Sequence, residues 1–318
     1  MEFFRRGGKL NIEAILGVFN RALAYGTPLF LATLGEIYAE RAGILNLGVE
    51  GMMMVGALSG FVVAYATANP WMGVLAGALA GGIFSLIHAF VSITLRANQT
   101  VSGLALTLLG TGIAGTLGRS WEGKTLVVSI RPFSETFFAK FPPLMSMIFK
   151  DTDALILGGI LAAVFLWFFL FKTRPGLFLR SCGENPSASD TLGVNVWRVR
   201  YLATFFGGIM AGIGGAYISV AYRPAWSSGM TQGMGWLAVA LTIFSFWNPL
   251  FALVGAYLFG ALFHLAFRLQ VFIAPEILNS LPYLFPVVAL VFVSRLAFRK
   301  KIGVPEALGK PYRRGETE

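Results

Sequence analysis

Long apolar runs separated by short polar segments make up most of the 318-residue chain. A bilayer core about 30 Å thick requires about 20 predominantly apolar residues as a helix, and several runs reach that length. The pattern therefore predicts an all-α, polytopic integral membrane bundle with eight to ten transmembrane spans. The predicted spans lie at about 14–35, 48–67, 71–95, 100–118, 152–171, 199–221, 232–248, 250–270 and 281–297.

The composition argues against a soluble protein. Hydrophobic residues account for 56% of the chain and charged residues for 13%, and the mean hydropathy is +0.71. Soluble domains carry about a quarter charged residues, so this chain lacks the charge for a fully hydrated surface. We expect a lipid bilayer around it. The single cysteine, Cys182, excludes an internal disulfide framework and is typical of a reduced, cytoplasmic loop.

The net charge of +10 indicates membrane topology rather than nucleic-acid binding. Basic residues flank apolar runs, most densely at 172–200 and 295–314, and cationic loops face the cytoplasm in membrane proteins. We therefore expect the loop at about 172–198 and the tail at about 298–318 to be cytoplasmic. The segment at about 119–151 is then external, and we expect no nucleic-acid partner.

The side of the N-terminus is ambiguous. Counting spans back from the cytoplasmic loop places it outside, whereas Arg5, Arg6 and Lys9 favour the inside. An extra half-span or a re-entrant piece within 36–50 would reconcile the two, because irregular backbone is tolerated in a membrane where protein or water surrounds it.

One motif resembles a nucleotide site. Residues 118–125 match G-x-x-x-x-G-K-[ST], the phosphate-binding P-loop pattern. A P-loop follows a buried strand and opens a helix, so that backbone amides and the helix dipole meet the phosphates. Here an apolar span precedes the motif and the strand-like residues 126–130 follow it. The predicted topology also places it away from cellular ATP, so we expect no nucleotide binding here.

Catalytic residues are not apparent. The two histidines, His88 and His264, lie in apolar spans without a second ligand at metal spacing, so we expect contacts between helices and no metal site. No nucleophile elbow or pair of carboxylates with a plausible cleft is present. The chain is therefore not expected to be an enzyme.

Polar residues interrupt the apolar sequence between residues 35 and 51. Ionisable groups inside a membrane are costly and usually face a bundle interior or a water-filled cavity. One interpretation is a solvated loop with interfacial ion pairs. The other is a re-entrant element along the solute path, with Asn46, Glu50 and Glu36 as polar contacts and with glycines 43, 48 and 51 giving backbone freedom.

A second polar segment predicts a short capped helix. Asn185 suits the N-cap, Pro186 the first helical position and Gly193 the position after the last turn. A two-turn helix is marginal in water, so neighbours must hold it. It either packs on its own bundle or docks into a soluble partner.

Together these segments resemble the permeases of bacterial ATP-binding-cassette (ABC) importers of the branched-chain amino acid, ribose and simple-sugar group. Within that group the chain is most similar to the smaller of the paired permeases of nucleoside importers. The matching residues occur in order from residue 28 to about 290: Gly35, Glu36, Glu40, Arg41, the run 46–53, Gly183 to Pro186, Ala188, Asp190, Gly193, Gly207, Gly208, the run 214–216, the run 233–240 and Leu281 to Tyr283.

The resemblance implies a single permease domain over residues 1–318 in the bacterial cytoplasmic membrane. It also implies a second homologous permease, an external lipoprotein receptor that delivers a nucleoside or simple sugar, and a cytoplasmic ABC ATPase that binds ATP and Mg²⁺. This chain then binds no cofactor itself. In such permeases the cytoplasmic loop couples to the ATPase, which maps here to Gly183, Glu184, Asn185, Pro186, Ala188, Asp190 and Gly193.

An ion-driven secondary transporter is the main alternative. Such transporters place polar groups or broken helices at corresponding positions of two halves. The carboxylates of this chain are concentrated within 36–50, with no evident counterpart elsewhere.

Overall fold

The computed structural model describes residues 5–6, 9–10, 12–135, 150–270, 284 and 304–314. Except for Leu284, the predicted span at 281–297 lies outside these residues. The Leu281 to Tyr283 motif and the 136–149 part of the predicted external segment lie outside them as well.

The described residues are mostly helical. Two short strands, β1 (Arg5–Arg6) and β2 (Lys9–Leu10), pair antiparallel ahead of the first helix. The helices are α1 (Ile12–Arg41), α2 (Val49–Thr67), α3 (Pro70–Ala89), α4 (Gln99–Gly118), α5 (Ala154–Lys172), α6 (Arg174–Glu184), α7 (Pro186–Thr191), α8 (Val196–Tyr217), α9 (Met234–Phe244) and α10 (Pro249–Leu269). Turns of π-helix extend α3 over Phe90–Thr94 and α8 over Ile218–Tyr222, and 3₁₀ turns lie at Arg119–Trp121 and Phe133–Glu135.

Most of these helices begin with a capping side chain. An Asn, Asp or Thr oxygen accepts hydrogen bonds from first-turn N–H groups at Asn69, Asn98, Asp153, Thr173, Asn185, Asn195 and Asn248. Such caps satisfy N–H groups that have no partner within the helix. Helices α2 and α9 begin instead at Gly48 and Gly233, which have no side chain to offer. Their first turns must be satisfied by other parts of the chain.

Six helices of the described part are long and apolar enough to cross a membrane, namely α2, α3, α4, α5, α8 and α10. The predicted total of eight to ten spans is not confirmed. Helix α9 has 11 residues, about 16 Å, or roughly half of a bilayer core, so 232–248 is not a full crossing. Helix α1 has 30 residues, but charged and polar side chains interrupt its apolar sequence.

Helix α8 forms the centre of the bundle and packs against α1, α2 and α3. Glycines bring the backbones of α2, α3 and α8 together. A Cβ built on Gly56 would lie 2.5 Å from the Gly212 carbonyl oxygen, and one on Gly77 would lie 2.8 Å from the Gly56 carbonyl oxygen. Lipid supplies no hydrophobic drive between helices, so association requires such close contact.

The bundle has two ends. We call one the tail end: it contains the end of α1, the start of α8, helices α6 and α7, and residues 304–314, which contact one another. The opposite end contains residues 119–130 and 223–231, which also contact each other.

The P-loop-like residues 118–125 lie at the opposite end, and their surroundings differ from those of a P-loop. Helix α4 precedes them and extended chain follows. The Gly123 N–H donates to the Trp226 carbonyl at 3.1 Å, and the Trp226 N–H donates to the Lys124 carbonyl at 3.0 Å. The Lys124 ammonium lies 4.4 Å from the centroid of the Trp121 ring, a cation–π contact. This segment therefore does not form the helix start that a phosphate requires.

Candidate functional site

Helix α2 begins deep inside the bundle. It runs parallel to α8, with Gly56 beside Gly212 and Gly60 beside Ala216. Val49 is therefore level with a point about nine residues into α8, or about 14 Å from the tail end. That depth is about half of a bilayer core. The chain thus reaches the middle of the bundle through residues 42–48 without forming a helix.

Neighbouring side chains hold residues 42–48. The Leu45 N–H donates to Gln99 Oε1 at 2.7 Å, and the Leu47 carbonyl accepts from Thr107 Oγ1 at 2.8 Å. The segment continues directly into α2 without turning back, so neither an extra half-span nor a re-entrant piece lies within 36–50. Helix α1 therefore begins at the opposite end, and the span count still disagrees with the basic residues that precede α1.

His88 joins α3 and α4 to this segment. Its Nε2 lies 3.1 Å from the Leu45 carbonyl oxygen and its Nδ1 lies 3.0 Å from Ser102 Oγ. A carbonyl oxygen only accepts, so Nε2 carries a proton, and Nδ1 pairs with the serine hydroxyl. His88 is a contact between helices. Within the described ranges, no group of three or more His, Cys, Asp or Glu side chains could hold a metal ion.

Glu50, near the start of α2, caps the start of α9. Its Oε1 accepts from the Gly233 N–H at 3.0 Å and from Thr231 Oγ1 at 2.5 Å, while its Oε2 accepts from the Gly235 N–H at 2.7 Å. Hydrogen bonds to a charged acceptor are stronger than neutral ones, and a helix N-terminus attracts negative charge. One carboxylate therefore joins two helix starts in the middle of the bundle.

Glu36 and Glu40 form a second buried acidic pair, one turn apart on α1. Glu40 Oε2 accepts from the indole N–H of Trp247. Glu36 Oε2 and Glu40 Oε1 receive no hydrogen bond from any donor in the described chain.

Asn46 turns the chain into α2. Its N–H donates to Glu36 Oε1 at 3.1 Å, and its Oδ1 accepts from the Gly48 N–H at 3.0 Å. Asn46, Glu36 and Glu50 are all at most 7% exposed, so the interpretation as a solvated loop is wrong. The three predicted path residues do lie in one buried region, where they hold backbone in place. We call this region, residues 36–50 with the start of α9, the polar break.

The predicted short helix is confirmed as α7, Pro186–Thr191. Asn185 Oδ1 accepts from the Ala188 N–H at 2.8 Å. The helix ends where Gly193 adopts a φ of 86°, with its N–H donating to the Asp190 carbonyl at 2.9 Å. Asn185, Pro186 and Gly193 thus occupy the positions that the sequence predicts.

Helix α7 and the end of α6 have an inner and an outer face. Gly183 packs against the Arg41 carbonyl so closely that a Cβ would overlap it, and its own carbonyl accepts from the Ala307 N–H at 2.9 Å. Burial raises the pKa of the nearby Cys182 thiol to about 11, which keeps it protonated at neutral pH. On the outer face Ala188 is exposed, and Leu192 is 84% exposed. The helix therefore packs on its own bundle on one side only.

The sequence did not predict that Arg200 is buried or that the chain after residue 304 packs against it. Arg200 is 2% exposed; its Nε donates to the Ala42 carbonyl at 3.1 Å and its Nη1 to the Lys310 carbonyl at 3.4 Å. The sequence shows it among the basic residues that set topology, with no sign of a buried partner. Its contacts are with backbone carbonyls that are distant in sequence.

Residues 18–294 match the family described as branched-chain amino acid transport system, permease component. The chain belongs to this family. It is therefore a transport component and not an enzyme, and the helices described above make it a multi-pass membrane protein.

Curated relatives agree with the family. The permease is 39% identical to a Haloferax volcanii protein assigned as the glucose ABC transporter permease TsgC13, over 94% of this chain and 98% of that protein. It is 35% identical to the guanosine ABC transporter permease protein NupQ of Bacillus subtilis, over 95% of this chain and 100% of that protein. The same Bacillus has a more distant relative, the guanosine ABC transporter permease protein NupP, at 26% identity over 74% of this chain and 70% of that protein. The permease thus belongs to an ABC transport system.

A solved structure shares the fold. It is a transporter assigned to the metal-chelate ABC type, in an inward-facing conformation, with a TM-score of 0.52 and 15% identity over 92% of each chain. At that identity the likeness concerns the fold alone.

Proposed function

We propose that this permease forms the translocation path for a nucleoside or a simple sugar in an ATP-driven importer. It acts as a single domain over residues 1–318 in a bacterial cytoplasmic membrane, beside a second homologous permease and with an external lipoprotein receptor. ATP and Mg²⁺ bind to a separate cytoplasmic ABC ATPase. The glucose and guanosine permeases among its relatives support this substrate class, because both solutes carry a hydroxyl-rich sugar ring.

The proposed topology has eight helical spans, because helix α1 and the residues at about 281–297 add to the six apolar helices. Residues 223–247 make a ninth crossing from the opposite end to the tail end, where Arg41 donates to the Phe246 carbonyl, and α9 forms only part of it. The tail end is cytoplasmic, because the loop at about 172–198 and the tail at about 298–318 are rich in Lys and Arg. The segment at about 119–151 is then external.

The observation that carries the proposal is that α7 exposes its outer face to solvent while its inner face packs against the bundle. An ATPase subunit docks on the loop that contains Gly183, Glu184, Asn185, Pro186, Ala188, Asp190 and Gly193. Burying Leu192 alone would contribute about 1.5–3 kcal/mol to such docking. Since Gly183 touches Arg41 at the end of α1, movement of α7 is passed directly to the polar break.

We assign Glu36, Asn46 and Glu50 to the wall of the path as positioning residues. They fix the starts of α2 and α9 at mid-depth, where a solute crosses. Helix starts at this depth also occur in secondary transporters, but membership of the ABC permease group decides against the ion-driven alternative.

The test is uptake by proteoliposomes that contain this permease, its partner permease and the ATPase, with the lipoprotein receptor supplied on the external side. We expect ATP-dependent uptake of guanosine or glucose. Ala188→Trp should abolish uptake, because an indole on the outer face blocks docking, and the matched variant Ala66→Trp, exposed at the opposite end, should retain it. Uptake that proceeds without ATP, or that Ala188→Trp leaves intact, would contradict the proposal.

A further inference from the structure

Residues 304–314 run along the coupling loop and are fixed to it by backbone hydrogen bonds. The Ala307 N–H donates to the Gly183 carbonyl at 2.9 Å, and the Gly309 N–H donates to the Gly43 carbonyl at 3.3 Å. Gly309 has a φ of 76°, which turns the chain at this point. This stretch, which we call the strap, therefore contacts both the coupling loop at Gly183 and the polar break at Gly43.

Side chains add a second attachment, on α7 itself. Arg314 Nε donates to Asp190 Oδ2 at 3.0 Å, and Tyr312 lines a cleft together with these two residues. Tyr312 is 7% exposed, and its ring lies 5.9 Å from the Arg200 guanidinium. Asp190 thus links α7 to the strap, and Arg200 links the strap to α8.

A cleft of about 390 Å³ lies between α7 and the strap. One wall contains Asn185, Ala188 and Thr191, and the other contains Glu306 and Lys310. The same α7 residues form the outer face on which docking is proposed. Any partner that covers Ala188 and Thr191 must therefore enter this cleft and contact the strap.

We propose that the strap is the second wall of the groove that receives the ATPase subunit. This inference rests on the proposed function. Two exposed apolar side chains are close in sequence to residues that line the cleft: Leu192, which follows Thr191, is 84% exposed, and Val304, two residues before Glu306, is 54% exposed. A protein partner that fills the groove would gain free energy by covering them. The Lys310 side chain, exposed on the strap wall, is the place to detect that burial.

The experiment measures thiol labelling of purified permease with and without the ATPase subunit. Single cysteines replace Lys310, Leu192 or Lys124 in turn, and Cys182 stays in place because it is fully buried and its raised pKa keeps it unreactive. We expect the ATPase to slow maleimide labelling at Lys310→Cys and Leu192→Cys by about tenfold. Lys124→Cys, at the opposite end, should react at the same rate in both samples.

Labelling at the three positions distinguishes failure of the strap proposal from failure of the proposed function. Protection at Leu192→Cys without protection at Lys310→Cys would overturn the strap proposal and leave docking on α7 standing. Protection at neither position, or no binding of the ATPase to the unmutated permease, would overturn the proposed function together with the strap. Slower labelling at Lys310→Cys by ATP alone, without the ATPase, would identify a small-anion site and overturn the proposal as well.

Discussion

The polar break and helix α7 are both short polar interruptions of an apolar chain, yet their side chains are used in opposite ways. In the break, the carboxylate of Glu50 is surrounded by donors from the start of α9, and Glu36 receives the N–H of Asn46. In α7, Asn185 and Gly193 satisfy the helix ends locally, and an apolar residue, Leu192, stands in solvent.

This difference indicates where binding surfaces lie in this permease. A buried charged residue stabilises the fold when it accepts hydrogen bonds from backbone N–H groups, because unpaired buried polar groups cost about 1–3 kcal/mol each. Glu50 is such a residue in this conformation. An exposed apolar residue at the end of a capped helix has no internal partner and gains free energy when a second protein covers it.

The largest expected effect is on the labelling of introduced cysteines from outside the cell, which should be close to all-or-none. Val127 is 97% exposed at the opposite end and Leu192 is 84% exposed at the tail end. In intact cells, an impermeant maleimide should label Val127→Cys and leave Leu192→Cys unlabelled, whereas both should react after permeabilisation. Labelling of Leu192→Cys from outside would reverse the orientation and remove α7 from the cytoplasm.

Removal of the Glu50 carboxylate should have the next largest effect, on folding. Glu50→Ala leaves Thr231 Oγ1 and the N–H groups of Gly233 and Gly235 without their acceptor, at a cost of several kcal/mol. We expect most of the folded protein to be lost, as measured by size-exclusion yield and thermal unfolding. The matched control is Glu122→Ala, because Glu122 also accepts three hydrogen bonds, all from Ser228, but is exposed. A normal yield of Glu50→Ala with abolished uptake would instead make Glu50 a solute contact.

The end of α7 should respond to backbone strain, with a moderate effect. Gly193→Val places a β-branched side chain at a φ of 86°, which costs roughly 1–3 kcal/mol. We expect reduced co-purification of the ATPase and reduced uptake, with span insertion unchanged. Gly193→Asn is the control, because Asn tolerates left-handed backbone better than Val does, and it should retain more activity. Equal behaviour of the two variants would show that backbone conformation at Gly193 is unimportant for coupling.

The smallest expected effect is at the P-loop-like motif. Lys124→Ala removes a cation–π contact with Trp121, worth about 0.5–1 kcal/mol at an exposed site. Nucleotide binding and ATPase activity of the purified complex should be unchanged. A loss of ATPase activity by orders of magnitude would show that this lysine contacts nucleotide.

Features that depend on neighbouring residues could be predicted from the sequence. The capped helix at 185–193 could be predicted because an N-cap, a first-turn proline and a C-terminal glycine act within a few residues of one another. The span at 232–248 was predicted too long, because apolar composition does not reveal where a helix begins. Met234 begins α9 only because Gly233 turns the chain and Glu50, far away in sequence, supplies the cap.

By itself the sequence determined that this protein is a helical membrane bundle, that Gly118 to Thr125 lacks the context of a nucleotide site, and that a short capped helix lies in a basic loop. These properties follow from hydropathy, charge and neighbouring residues, which act locally. The tertiary structure alone decided that Glu50 caps α9, that Arg200 is buried against carbonyls, and that the chain after residue 304 lies on α7. Such contacts join residues more than a hundred positions apart, and their free energy exists only once the bundle has brought them together.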